Sequence, residues 1–223
     1  MKVSEVVSLR LLDATMKDWE FKDLLVKLRK ENQIREVVVL PNQLRRAKQL
    51  LAQTQIKIGT VVDYPLGSGT VAKKAFEAGR SFQEGADFLE LSVTSFTLLE
   101  QPQLVQDLEA ALRGISLAWG EIRTRVAADQ LTEIKKLALL PRMNELGWQW
   151  LVLEEGTSFA DALHDAETFS FDGGDKLQLQ VNLEEVTATD IQTLVKKGVS
   201  RIGITRFGEL DLVSLAYLNL EQL

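Results

Sequence analysis

Short apolar runs alternate along this chain with longer amphipathic stretches, and the pattern repeats from one end to the other. Its clearest unit runs from Ile56 to Leu91. Ile56–Val62 is apolar and β-branched, with one Gly and no Pro, which suits a strand buried on both faces. Tyr64-Pro65-Leu66-Gly67-Ser68-Gly69 then breaks the chain with Pro and Gly. Thr70 can cap the following helix, whose stripe of Ala72, Ala75, Phe76, Gly79 and Phe82 is expected to face inward. Gly85 ends that helix, and Ala86–Val93 is a second buried strand. A parallel strand pair joined by a helix is the repeating unit of α/β folds.

The alternation extends in both directions. Val6–Thr15 reads as a first strand. Asp18 can cap a helix from Trp19 to about Lys30, with Phe21, Leu24, Leu25 and Leu28 inward. Glu36–Leu40 is a second strand ended by Pro41, and Asn42 can cap a helix reaching about Ala52. Beyond the central unit, a helix is predicted over Gln101–Leu112, a strand over Glu121–Ala128 and a helix over Leu131–Leu146, closed by Gly147. Pro141 lies inside that last pattern, so a kink or two short helices are expected. Strand Trp148–Leu153, helix Ser158–Thr168, a turn at Phe171–Asp175 and strand Lys176–Leu183 follow. Helix Thr187–Lys197, strand Arg201–Thr205 and helix Gly208–Leu220 complete the chain. Eight strands alternating with eight helices, at about 25 residues per unit, predict a single α/β domain over residues 1–223, a (β/α)8 TIM barrel. Function in such a barrel is expected at the C-terminal ends of the strands and in the loops after them.

Composition narrows the chemistry. The net charge of −6 and a pI near 5.0 favour neither a nucleic-acid backbone nor an anionic membrane as partner. No apolar run approaches the roughly 20 residues needed to span a bilayer, and the N-terminal MKVSEVVSLRLLD has no signal-peptide core. The absence of cysteine excludes disulfides, thiolate metal sites and cysteine nucleophiles, and suits a cytoplasmic setting. A single histidine, His164, argues against a histidine metal site or a Ser-His-Asp triad. Neither a metal nor a cofactor is expected. A homodimer is expected on general grounds.

Strand periodicity points to the site. One parity of each strand faces the helices and should be apolar, and the other faces the barrel interior. In the seventh strand Leu177, Leu179 and Val181 oppose Gln178, Gln180 and Asn182. In the fifth, Ile122 and Val126 oppose Arg123 and Arg125. In the fourth, Leu89, Leu91 and Val93 oppose Glu90, Ser92 and Thr94. Asp13 and Thr15 share a parity near the end of the first. Polar residues therefore collect on the interior side of four strands. Buried charges must be paired or solvated, and Arg123 and Arg125 could balance Glu90 and Asp13. Either a polar substrate pocket or a self-satisfied interior network fits. Other signals are weaker. Gly67 and Gly69 lack the GKS/T end of a phosphate loop and read as a turn. Glu154-Glu155 could be a general acid/base pair or a solvated loop. His164 lies mid-helix and reads as a surface or half-buried residue, and Lys135-Lys136 and Lys196-Lys197 fall on helix surfaces by position.

LPNQL at 40–44, TVVDYPLG at 60–67 and KAFEAGRSFQEGADFLEL at 74–91 resemble, in order and spacing, the deoxyribose-phosphate aldolases. LLDAT around Asp13 and Thr15, LVLEEGTSF at 151–159 and KKGVSRIGIT at 196–205 extend the resemblance over nearly the whole chain, most specifically in the middle third. The resemblance implies a barrel whose reaction is reversible cleavage of 2-deoxyribose 5-phosphate to acetaldehyde and glyceraldehyde 3-phosphate, through a Schiff base on a lysine of lowered pKa.

Where the chain departs from the family, the departures cluster. By the resemblance, the Schiff-base lysine of the sixth strand falls on Leu153 and a second lysine, on the seventh, falls on Gln180. The phosphate-binding Gly-Gly pair falls on Leu183-Glu184, the fourth-strand aspartate on Glu90, and a fifth-strand lysine on Arg123 or Arg125. The last strand keeps Gly203 and a hydroxyl at Thr205 but continues with Arg206. Leucine cannot form an imine, and Glu184 adds a negative charge where a phosphate would sit. The expected protein is thus a barrel of this type without Schiff-base chemistry, keeping a polar pocket for a small, phosphorylated or carboxylated, metabolite. Asp13, Glu90 and Arg125 are its candidate catalytic residues, and Thr15, Thr94, Arg123, Gln180, Asn182, Gly203, Thr205 and Arg206 its candidate ligand-binding residues. The alternatives are different chemistry on the same residues without a Schiff base, and an active aldolase cleaving deoxyribose 5-phosphate or a related sugar phosphate through a non-standard site.

Overall fold

A computed structural model of the chain describes residues 3–31, 34–127, 131–153, 158–173 and 177–206. Eight parallel strands close on themselves in chain order: β1 (Val7–Leu11), β2 (Glu36–Val39), β3 (Lys57–Val62), β4 (Phe88–Ser92), β5 (Glu121–Val126), β6 (Trp150–Leu153), β7 (Gln178–Leu183) and β8 (Val199–Ile204). The barrel closes where Val7, Ser8 and Leu9 of β1 pair with Ile202, Gly203 and Ile204 of β8. The crossovers carry α1 (Asp18–Glu31), α2 (Leu44–Leu50), α3 (Val71–Gln83), α4 (Ser95–Glu100), α5 (Pro102–Trp119), α6 (Glu133–Leu146), α7 (Phe159–Gly173) and α8 (Ala188–Lys196). The single (β/α)8 architecture is the one the alternation of the sequence predicts.

Local chemistry sets the helix ends. Thr70 Oγ1 accepts from Lys73 N at 3.2 Å and starts α3. Thr187 and Asp190 form a reciprocal capping box at α8, each side chain accepting from the other's backbone N–H. Gly147 closes α6 in the left-handed region, at φ 67°. The main core lies between barrel and helices. It takes Leu9, Val37, Leu89, Leu91, Leu151, Leu179 and Ile202 from the strands, and Phe21, Leu25, Leu28, Leu108 and Phe169 from the helices.

Several expectations are corrected. The first strand stops at Leu11, so Asp13 and Thr15 lie in the loop after it. The fourth crossover holds two helices rather than one, because Thr94 caps α4, accepting from Thr97 N at 3.0 Å, and Pro102 starts a longer α5. Pro141 does not divide α6, which runs as one helix. The turn expected from Phe171 gives way to α7 as far as Gly173. Phe76 is 72% exposed, not inward. The buried stripe of α3 is Lys74, Ala78, Ser81 and Phe82, and at 3.6 residues per turn Phe76 sits roughly 200° round from Lys74. Lys136 is no surface charge. It is buried and bridges α6 to α7, with Nζ 2.5 Å from Asp165 and 3.0 Å from Glu133. His164 is exposed on α7, 3.1 Å from Glu133, as its position suggests. The helix expected over Gly208–Leu220 and the Glu154-Glu155 pair lie outside the described residues.

Candidate functional site in the barrel interior

Register transmits side-chain direction around the sheet, since laterally paired residues of parallel strands point to the same side. Glu90 pairs with Arg123, Ser92 with Arg125, Arg125 with Val152, and Val152 with Gln180. Asn182 pairs with Gly203, and Arg10 with Val38. These residues face the interior. A small apolar cluster of Val38, Val61 and Phe88, flanked by Leu12, Leu40 and Tyr64, shares it with them. The interior placement of Glu90, Arg123, Arg125, Gln180 and Asn182 follows the alternation read from the sequence.

The charges are paired differently from the expectation. Arg123 donates to both carboxylate oxygens of Glu36 at 3.0 Å, to Glu121 Oε1 at 2.6 Å and to Gln180 Oε1 at 3.3 Å. Its guanidinium lies between the Phe88 ring at 3.9 Å and the Trp150 ring at 4.2 Å, where aromatic faces stabilise a cation. Arg201 adds a second contact to Glu36, at 3.2 Å. Burial alone would raise the Glu36 carboxyl, but the hydrogen bonds and charge of Arg123, helped by Arg201 and Lys57, hold it below its ordinary value.

Glu90 forms a two-pronged pair with Arg10, at 2.6 and 2.7 Å, with both side chains fully buried. Gln180 donates to Glu90 Oε1 at 2.9 Å and to Asn182 Oδ1 at 3.0 Å, and Asn182 donates to the Leu153 carbonyl at 2.6 Å. Gly203 is required beside them, because a Cβ there would run into Asn182 Oδ1 and the Arg10 side chain. Arg10, Glu36, Glu121 and Arg201 are the members of this network that the sequence reading missed. Alternation could have found all four: Arg10 opposes Leu9 and Leu11, Glu36 opposes Val37, Glu121 shares the parity of Arg123, and Arg201 opposes Ile202.

Toward the C-terminal mouth, Arg125 lies over the Tyr64 ring at 4.6 Å. Its neighbour Ser92 is buried, and the Ser92 hydroxyl has no hydrogen-bond partner among the described residues. The other candidates lie in the loops after the strands and are engaged in local contacts. Asp13 is exposed and accepts from Thr15 N at 2.7 Å and Thr15 Oγ1 at 2.6 Å, within its own loop. Those hydrogen bonds hold its carboxyl below the ordinary range. Thr94 is used as a helix cap. Thr205 N and Arg206 N donate to the Glu184 carbonyl at 3.3 and 2.9 Å, and the exposed side chains of Arg206 and Glu184 pair at 2.9 Å. Leu153 packs into the core between barrel and helices, and Val152 takes the interior position of that strand.

A second charged cluster, unforeseen from the sequence, occupies the corner between β3 and α3. Asp63, at φ 55°, accepts from Gly69 N at 2.6 Å and from both Lys73 and Lys74. Lys74 also donates to the Gly67 and Ser92 carbonyls, each at 2.8 Å. Burial pushes the Lys74 amine below its ordinary value, and Asp63 opposes that. With three acceptors placed around its nitrogen, Lys74 acts as a structural ammonium that ties the β3–α3 loop to the end of β4. Among the described residues, no group of three or more metal-ligating side chains occurs and no helix is long and apolar enough to cross a membrane.

No family model matches the chain. Among curated proteins it is 29% identical over 210 residues to a deoxyribose-phosphate aldolase of Streptococcus pneumoniae strain P1031, covering 91% of this chain and 92% of that protein. The aldolase of strain Taiwan19F-14 is 27% identical over 206 residues, with the same coverage. Among solved structures, the tetrameric deoxyribose phosphate aldolase of Aeropyrum pernix superposes with a TM-score of 0.74 at 17% identity, over 99% of this chain and 90% of that one. The orotidine 5'-phosphate decarboxylase of Pyrococcus horikoshii follows at 0.65 and 15% identity, over 95% of each chain, so the architecture is shared across chemistries.

Proposed function

We propose that this deoxyribose-phosphate aldolase-like barrel does not perform Schiff-base aldol cleavage, and that its C-terminal mouth holds a small anionic metabolite, phosphorylated or carboxylated, near Arg125. One observation carries the first half. The chain has no lysine between Lys136 and Lys176, nor between Lys176 and Lys196, so neither β6 nor β7 carries one. The interior positions there are Trp150, Val152, Gln178, Gln180 and Asn182, and none can form an imine. Glu90 and Arg123 are saturated by partners within the network, which makes them supports of the site's floor rather than groups that meet a ligand. Arg125 and Ser92 lie above that floor, and a guanidinium is suited to a carboxylate or phosphate. Asp13, Thr15, Thr205 and Arg206 belong to the loops around the mouth, where they would border such a ligand.

Lys74 favours a second reading, in which a buried amine of lowered pKa replaces the missing lysine. Its three acceptors oppose this, since an iminium nitrogen keeps one N–H and could serve only one of them. One experiment separates the readings. The protein is incubated with deoxyribose 5-phosphate, reduced with borohydride and weighed. No added mass is expected, and an adduct would overturn the proposal, with peptide mapping to Lys74 supporting the second reading. Thermal shifts with phosphorylated sugars and small carboxylates then test the mouth. Stabilisation by one of these anions, lost in Arg125→Ala, is expected. A panel without effect, or one acting equally on Arg125→Ala, refutes the anion site.

A further inference from the structure

The C-terminal mouth is divided. Leu12, Leu40 and Tyr64 follow the ends of β1, β2 and β3, are half-buried, and pack on the interior cluster of Val38, Val61 and Phe88. Tyr64 joins them against strand parity. Val62, two residues before it, packs into the outer core, but Asp63, in the left-handed region at φ 55°, breaks the alternation. These three strands give the mouth an apolar half. Ser92 and Arg125, paired across β4 and β5, form the other, and the Tyr64 ring links the two by lying 4.6 Å from the Arg125 guanidinium.

The neutral polar groups around that division are engaged locally. Thr15 Oγ1 donates to Asp13, Thr94 Oγ1 to Thr97, Thr205 Oγ1 to the Glu184 carbonyl and Asn182 to the Leu153 carbonyl. The Ser92 hydroxyl, buried and without a hydrogen-bond partner among the described residues, is the exception. The cations beside the mouth hold carboxylates of their own: Lys73 and Lys74 share Asp63, and Arg206 holds Glu184. A phosphate monoester would set close to two negative charges against the Arg125 guanidinium. A sugar's hydroxyls would also be buried on Leu12, Leu40 and Tyr64 without partners, a cost that an alkyl or aryl body avoids. We propose that the mouth takes a monocarboxylate with an alkyl or aryl body, its carboxylate at Arg125 and Ser92 and its body on Leu12, Leu40 and Tyr64. This rests on the anion site inferred above and narrows it to one chemical class.

Phenylacetate is the probe, set against phenethyl alcohol, gluconate and ribose 5-phosphate in calorimetric titrations of the full chain. It is expected to bind at least about tenfold tighter than each of the other three. Leu40→Asn should weaken phenylacetate by about tenfold while changing ribose 5-phosphate by no more than about twofold. Leu12→Asn repeats the test from β1, should Leu40→Asn not fold. Equal or tighter binding of ribose 5-phosphate or gluconate, or wild-type affinity for phenylacetate in a folded Asn variant, overturns this inference and leaves the anion site standing. If no anion binds, if the alcohol binds as well as the acid, or if Arg125→Ala binds as the wild type does, the anion site falls and this inference with it.

Discussion

The barrel interior and the β3–α3 corner both bury charge, but they assemble it in different ways. In the interior, Arg10 meets Glu90 across 80 residues, Arg123 meets Glu36 across 87, and Gln180 meets Glu90 across 90. At the corner, Asp63 meets Lys73 and Lys74 within 10 and 11 residues. The interior network exists only once the barrel has closed, whereas the corner is local and shapes a loop. Burying a charge demands a partner in both cases. The interior answers with strands brought together from most of the chain's length, and the corner with one turn and the first turns of a helix. Charged residues on the interior side of a barrel strand therefore need not mark a catalytic pocket, since here most of them bind one another.

That contrast can be broken in order of expected effect. Arg10→Ala leaves Glu90 buried with only Gln180, and should cost about 3–5 kcal/mol in urea unfolding. Arg10→Met combined with Glu90→Leu should recover most of the loss, because a well-packed apolar pair can replace a buried ion pair. A double variant as unstable as the single one would mean that the charges also serve to specify the fold. Lys74→Met, by contrast, removes donors from Asp63, Gly67 and Ser92 but leaves Lys73 and Gly69 N on Asp63. A loss of about 2 kcal/mol is expected, together with faster proteolysis at the 63–69 loop.

Acid should act on both regions through the carboxylates. Burial would raise the Asp63 carboxyl, but Lys73, Lys74 and Gly69 N hold it below its ordinary value, and Glu36 is likewise held low in the interior. The folded protein thus binds fewer protons than the unfolded chain in the acid range. The stabilisation is fully present above the unfolded values near about 4 and is lost as pH falls through the lower folded values. Urea midpoints measured from neutral pH downward should fall steeply below about pH 4, and Asp63→Asn should make that slope shallower. The smallest effect is expected at the exposed face of α3. Phe76→Ser should change stability by no more than about 0.5 kcal/mol, measured the same way, whereas a core residue at that position would cost several times more.

Much of this was legible in the residue pattern. β-branched runs gave the strands, and two-residue alternation assigned Glu90, Arg123, Arg125, Gln180 and Asn182 to the interior before any contact was known. The departures came where local pattern competes with tertiary placement. Phe76 is as apolar as Phe82, but α3 turns on Lys74, and a buried lysine is invisible until its acceptors on the loop and on β4 are in place. Alternation extended past Leu11 projects Asp13 and Thr15 inward, but the strand has already ended there. Arg10 and Glu36 lay in short strands whose apolar neighbours dominate the reading.

Sequence by itself determined the order of the elements, the side of the sheet each strand residue faces, and the absence of a lysine on β6 and β7. These follow from local periodicity and from which side chains exist. Only the tertiary structure decided which charges pair and how α3 is turned. The interior pairs join residues 80 to 90 apart and form only when the barrel closes, whereas α3 is turned by acceptors 7 to 18 residues from Lys74 that the β3–α3 loop and the end of β4 bring to it.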